Sequence, residues 1–248
     1  LEKSSHQVKV KVMDANELYD PEFRKLIKEK KPTVIIPVGS IEQHGAHLPI
    51  TTDSDIVTEI ASRLAKKCGF IVFPTVNYGI SEEHDPFFNI SIRDKSYRDF
   101  LFGIIRSLDY SMGSLGSIII LNGHHGNVEA LNELVAQIDV TFNITTKPKC
   151  YSYWHFMKHE FDHAGFVETS LMLAISDKVK MKKAKKGFTT KGLSENEIQR
   201  INKLSTEQGG FPKVAKNGVW GDPTGATKKD GEKFLAEIVK NLAKECQS

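Results

Sequence analysis

Hydrophobic positions along this chain follow two rhythms. Three short runs, Thr33–Val38 (TVIIPV), residues 70–74 (FIVFP) and residues 117–121 (SIIIL), are β-branched and bounded by turn residues, which predicts buried strands. Between them the apolar positions shift to helical spacing. Residues 54–67 place Ile56, Val57, Ile60, Ala61 and Leu64 on one stripe, with Asp53 or Ser54 as N-cap. Residues 128–138 repeat the pattern with Leu131, Leu134, Val135 and Ile138, and residues 97–108 and 231–243 read as two further helices, the last docking the C-terminus. Strands alternating with helices predict an α/β fold with a mostly parallel sheet covered on both faces.

In such a sheet, ligands bind at the carboxyl ends of the strands, in the loops that lead to helices. Two chemically rich stretches occupy those places. After the first strand comes GSIEQHGAHLPITTD, residues 39–53, in which Glu42 and His44 are one residue apart. In extended backbone their side chains point the same way. Gly45 and Pro49 let the chain turn and bring Asp53 back. Two carboxylates and an imidazole suit Zn, Mn or Fe(II) better than a soft ion, and an aspartate's two oxygens can bridge a pair. After the third strand comes NGHHGN, residues 122–127. Glycines around paired histidines allow tight turns and a close backbone approach to a ligand. His124 and His125 there read as one metal ligand and one neighbour facing solvent or substrate.

A third stretch, FDHAGFVETS over residues 161–170, runs into an apolar helix. Glu168 reads either as a residue satisfying a helix N-terminus or as a further ligand. His163 is a general acid/base candidate because its ordinary pKa lies near neutrality.

Composition narrows the setting. At 40% hydrophobic and 26% charged, the 248 residues match a water-soluble chain, and no linker divides them, so one domain over residues 1–248 is expected. No run reaches membrane-spanning length, and residues 1–10 lack the apolar core of a secretory signal. Cys68, Cys150 and Cys246 show no paired spacing, which argues against a disulfide framework or thiolate zinc site and for the reducing cytoplasm. A net charge of +3 does not call for nucleic acid. Seven lysines crowd residues 178–191, readable as a solvated loop or as a cradle for a phosphate-bearing ligand. A third reading, an RNA surface, is disfavoured because no aromatic beyond Phe188 interleaves with the lysines.

Four segments in order, GSIEQHGAHLPITTD, NGHHGN, HAGFVETS (residues 163–170) and GVWGDPTGAT (residues 218–227), resemble the creatininase (creatinine amidohydrolase) family. The resemblance implies a three-layer α/β/α fold and a centre of two divalent ions (Zn, Mn or Fe). Glu42 and His124 would hold one ion, His44 the other, and Asp53 would bridge them. It also implies metal-assisted hydrolysis of a small-molecule amide by an activated water, with His163 or Glu168 passing the proton, and a homo-oligomer. Creatininase has a further glutamate where this chain has Gly126, so either Glu168 completes the coordination of the second ion or that ion binds more loosely, and creatinine becomes an alternative rather than the favoured substrate. His84, in SEEH at residues 81–84, His125 and Trp154, in YWHF at residues 153–156, are candidate substrate contacts, with a core role equally open to Trp154 and His84. Among family substrates, a formamidopyrimidine nucleotide is favoured, since the basic segment would meet its phosphate; a cyclic amide or a modified peptide is the alternative. A metal-binding protein without catalysis is the reading from a different class.

Overall fold

The computed structural model describes residues 13–112, 115–141 and 144–247. The reading of residues 1–10 falls outside the described residues. Five strands form one sheet: β1 (Met13–Asp14), β2 (Thr33–Val38), β3 (Ile71–Val72), β4 (Ser117–Asn122) and β5 (Pro148–Ser152), in the order β1-β3-β2-β4-β5. Every neighbouring pair is parallel. The central pair runs in register from Thr33 opposite Ser117 to Val38 opposite Asn122, so both strands end level with each other.

Alternation along β2 and β4 divides the core in two. Ile35, Ile119 and Leu121 face one layer, where α2 (Thr52–Cys68), α5 (Phe166–Ile175) and α8 (Lys228–Gln247) pack. Val34, Ile36, Val38, Ile118 and Ile120 face the other, covered by α1 (Asp20–Lys30), α3 (Asp94–Met112) and α4 (Val128–Thr141). Successive side chains of a strand point to opposite faces, and a strand that meets helices on both has no polar position to spare. This is the three-layer α/β/α arrangement expected from the sequence. Two further helices, α6 (Glu195–Thr206) and α7 (Phe211–Val214), lie outside the layers, α6 opened by a Ser194–Glu197 capping box.

Two glycines at the strand ends set the position of α2. A Cβ on Gly39 would come within 2.7 Å of the Ser54 backbone, and one on Gly123 within 2.7 Å of the Asp53 carbonyl. The first turn of α2 therefore presses directly onto the ends of β2 and β4. Thr51 is the residue at the N-cap, and Asp53 lies inside the first turn rather than capping it. Among the described residues, no helix is long and apolar enough to cross a membrane.

Candidate metal centre

The carboxyl ends of β2 and β4 and the first turns of α2 and α5 meet in one buried cluster. Asp53, in the first turn of α2, is 2% exposed, and Glu168, in the first turn of α5, is fully buried. Both carboxylates benefit from the partial positive charge of a helix N-terminus. Asp162 caps α5 by accepting from the Val167 N–H at 2.8 Å and the Glu168 N–H at 3.2 Å, which orients the turn that carries Glu168.

Asp53 divides its two oxygens. Oδ1 lies 3.1 Å from His44 Nε2, and Oδ2 lies 3.0 Å from His124 Nδ1. Glu168 Oε2 joins the first group at 3.5 Å from His44 Nε2. Donor atoms of His44, Asp53 and Glu168, and separately of Glu42, Asp53 and His124, lie within 4.8 Å of one another. These are spacings for atoms that share an ion without touching. The ring tautomers agree. His44 Nδ1 is 3.2 Å from the Glu42 carbonyl oxygen and His124 Nε2 is 2.6 Å from that of Ile80. Each ring can donate one N–H to backbone while its other nitrogen faces Asp53, the nitrogen that a cation would take once its proton is released. Ser40 Oγ donates to Asp53 Oδ2 at 2.6 Å and fixes the carboxylate.

The donor set fits divalent cations on a second ground. Both carboxylate oxygens of Glu42 and Glu168 Oε1 are buried without a hydrogen bond. His84 Nε2 stands 3.0 Å from Glu42 Oε1 and His124 Nε2 3.3 Å from Oε2, charge contacts that fall outside hydrogen-bond geometry. Buried carboxylates left in this way are costly unless a cation compensates them. The electrostatics say the same. Burial alone would raise Glu42, yet His124 and His84 hold it well below the usual carboxylate range. Against the pull of its own burial, His44 is pushed up to about 10 by Asp53 and Glu168. Burial also penalises a charged His124, but Glu42 and Asp53 raise it well above the ordinary imidazole value. Glu168 goes well up, chiefly from burial. Protons on these imidazoles supply the positive charge that bound cations would supply instead.

A cavity of about 450 Å³ opens onto the cluster. His163 stands in its wall, its ring centroid 4.2 Å from that of His44 and 4.8 Å from that of His84. Burial, then His44 and His84, push its pKa well below the ordinary value, so the ring is neutral near pH 7. Its Nε2 lies 3.0 Å from the Gln43 backbone carbonyl oxygen and 3.1 Å from the Gln43 side-chain amide nitrogen, and Nδ1 faces Glu42 Oε1 at 3.7 Å. Gln43 Nε2 donates to His84 Nδ1 at 3.0 Å, leaving the His84 proton on Nε2, toward Glu42.

The structure thus gathers Glu42, His44, Asp53, His124, Glu168, His163 and His84 around one point. His125 is exposed at the cavity rim, with its ring 6.1 Å from Trp154. Trp154 does not line the cavity: it belongs to the core cluster and stacks at 4.5 Å behind Phe161, which does. Ser40, Gln43, Glu83, Asp162 and Phe211 went unassigned in the sequence. Ser40, Gln43, Glu83 and Asp162 sit inside or beside the motif stretches, but common polar residues carry no signal until their partners, such as His84 and His163 for Gln43, are brought close by the fold. The lysines of residues 178–191 are exposed, and none lines the cavity.

The comparisons agree with this geometry. The family model for creatininase, described as creatinine amidohydrolase, matches residues 16–246. The chain is 35% identical over 219 residues to the mycofactocin precursor peptide peptidase of Mycolicibacterium smegmatis, covering 86% of this chain and 83% of that protein. It is 26% identical over 214 residues to the 2-amino-5-formylamino-6-ribosylaminopyrimidin-4(3H)-one 5'-monophosphate deformylase of Methanobrevibacter ruminantium, covering 78% and 83%. A solved manganese creatininase superposes with a TM-score of 0.76 at 22% identity, over 95% of this chain and 97% of that one. The chain belongs to the creatininase family of metal-dependent amidohydrolases.

Proposed function

We propose that this chain hydrolyses an amide bond in a peptide or peptide-derived substrate, with Glu42, Asp53 and His124 holding one divalent cation and His44, Asp53 and Glu168 the other. The observation that carries the reading is the division of Asp53, whose two oxygens face imidazole nitrogens belonging to two different donor groups. Two cations held there would supply Lewis-acid polarisation of the carbonyl and lower the pKa of a water so that it serves as the nucleophile near neutral pH.

The chain's own residues do the rest. His163, neutral and with Nδ1 facing the cluster, takes the proton released as water adds to the carbonyl carbon, and delivers it to the nitrogen as the C–N bond breaks. Gln43 holds both rings in place, through its side-chain amide to His84 and through its amide and backbone carbonyl to His163. Phe161, Phe211 and Trp220 give the cavity apolar walls against which a side chain of the substrate rests.

The choice of a peptide over a formamidopyrimidine nucleotide rests on charge. The residues lining the cavity include Glu83, Glu160 and Asp162 but no lysine or arginine. A nucleotide phosphate would enter an acidic funnel with no cationic partner beyond the metals. The peptide reading is also in line with the 35% identical relative, a precursor peptide peptidase. The nucleotide reading keeps a place because a deformylase is also among the relatives.

Manganese- and zinc-loaded protein incubated with a panel of short peptides, creatinine and the formamidopyrimidine nucleotide, with products read by mass spectrometry, decides between them. Peptide cleavage that disappears in His163→Ala is expected. Release of formate from the nucleotide, with every peptide intact, would overturn the proposed substrate class.

A further inference from the structure

Glu83 takes no part in the two donor groups described above, yet its carboxylate is directed at them. The side chain is 12% exposed, and Oε1 lies 3.6 Å from His124 Nε2 and 3.9 Å from His84 Nε2. Donor atoms of Glu42, Glu83 and His84 also converge within 4.8 Å of one another. Glu42 is fully buried with the His84 and His124 imidazoles as its charge partners, so a second carboxylate beside it adds negative charge that the same two rings must offset. In a protein without a cation this would be a poor arrangement.

Position 126 makes the arrangement specific. A Cβ on Gly126 would stand 2.7 Å from Glu83 Oε1 and 2.6 Å from His124 Nε2, and would strike the Ile80 carbonyl. That same carbonyl accepts the outer N–H of His124. The volume that a side chain at 126 would fill is therefore taken by the Glu83 carboxylate and by the backbone group that orients His124. Glycine at 126 is what admits Glu83 to the centre.

We infer that Glu83 is a positioning residue of the Glu42–Asp53–His124 cation site, an outer carboxylate whose negative charge, placed through the gap at Gly126, raises the affinity of that site for a divalent cation. It acts from beside the ligands, and outer partners of this kind typically change metal affinity by about 10–100-fold. The inference rests on the two-cation reading of the centre.

The test uses Glu83→Gln, which keeps the shape of the side chain and removes its charge. Manganese titration calorimetry and metal content by mass spectrometry are read on both proteins. Wild-type protein is expected to bind two ions. The variant is expected to keep one with wild-type affinity and to bind the other at least about tenfold more weakly. In chelator, where no cation offsets the paired carboxylates, the variant is expected to melt at or above the wild-type temperature. Glu83→Asp, which keeps the charge, should recover part of the lost affinity. Unchanged affinity for both ions in Glu83→Gln would overturn the role of Glu83 alone. Failure of the wild-type chain to bind two ions would instead overturn the reading of the centre. A Glu83→Gln protein that melts well below wild type in chelator would mark Glu83 as a structural residue and sink the proposal.

Discussion

Asp53 shows how much of the proposed chemistry rests on one side chain. Its carboxylate lies between His44 and His124, oriented by Ser40 and by the first turn of α2. Removing it deprives both donor groups of a shared ligand while leaving the strands and helix interior intact. Asp53→Ala is expected to lower affinity for both cations by more than about 100-fold, beyond the usual loss from an outer partner, and turnover with it. Metal content and far-ultraviolet circular dichroism, measured together, check this: full metal loading would refute the bridge, and an unfolded spectrum would move the test to Asp53→Asn. His47 offers a pH prediction. It is buried, with Nε2 2.9 Å from Thr169 Oγ1, and burial together with the His44 charge pushes it down to about 4. A depressed folded-state value means the associated stability is present above the unfolded value near 6.5 and is lost as pH falls toward 4. In metal-free protein, wild type should lose about 2–3 kcal/mol more than His47→Gln between pH 7 and pH 4.5, read from urea midpoints. Parallel pH profiles for the two proteins would count against a buried neutral His47. At this scale the sequence showed Glu42, His44, Asp53 and His124 because rare residue types stood together at strand ends. Gln43 and Ser40 stayed hidden, since their roles exist only through His84, His163 and Asp53.

Elements were legible where burial was complete. β2 appeared with the bounds expected, because each of its residues after Thr33 is buried and none interrupts the apolar run. The run at residues 70–74 is cut to Ile71–Val72, with Phe73 still donating to the Ile35 carbonyl before Pro74. β5 was missed because PKCYS carries a proline, an exposed lysine and a half-buried cysteine, a mixture typical of an edge. α1 and α6 were missed for a related reason. Of α1 only Ile27 is buried, and of α6 no residue is, so neither shows a wide apolar stripe. The seat of α2 yields an element-scale prediction. In Gly123→Ala the new methyl would meet the Asp53 carbonyl and Val57 Cβ, both at 2.7 Å, and α2 must shift away from β4. Overpacking of this kind costs about 1–3 kcal/mol. The expected result is a lower melting temperature accompanied by weaker manganese binding, because Asp53 moves with the helix. Lost stability with unchanged metal affinity would show that the centre tolerates movement of α2.

Across the whole molecule, the centre lies where otherwise separate pieces converge. Glu42 and His44 come from the loop after β2, Asp53 from α2, His124 from the loop after β4, and Glu168 from α5. Cations that bind these five residues bind only the folded chain, because sequence separations of up to 126 positions, from Glu42 to Glu168, scatter the donors once it unfolds. The lysines of residues 178–191 stand apart from this convergence, exposed and outside the cavity lining. Folding and metal binding should therefore be linked. A site held at 100 times its dissociation constant contributes about 2.7 kcal/mol. For a domain of this size each kcal/mol moves the midpoint by roughly 2–4 °C, so each filled site should be worth about 5–10 °C. Chelator is expected to lower the melting temperature of the loaded protein accordingly, manganese or zinc to restore it, and Asp53→Ala to show almost no response to either. Two steps in a titration would separate the Glu42 site from the His44 site. A melting temperature indifferent to chelator would mean that the buried carboxylates and imidazoles satisfy one another without a cation, which the two oxygens of Glu42 and Oε1 of Glu168, all buried without a hydrogen bond, argue against.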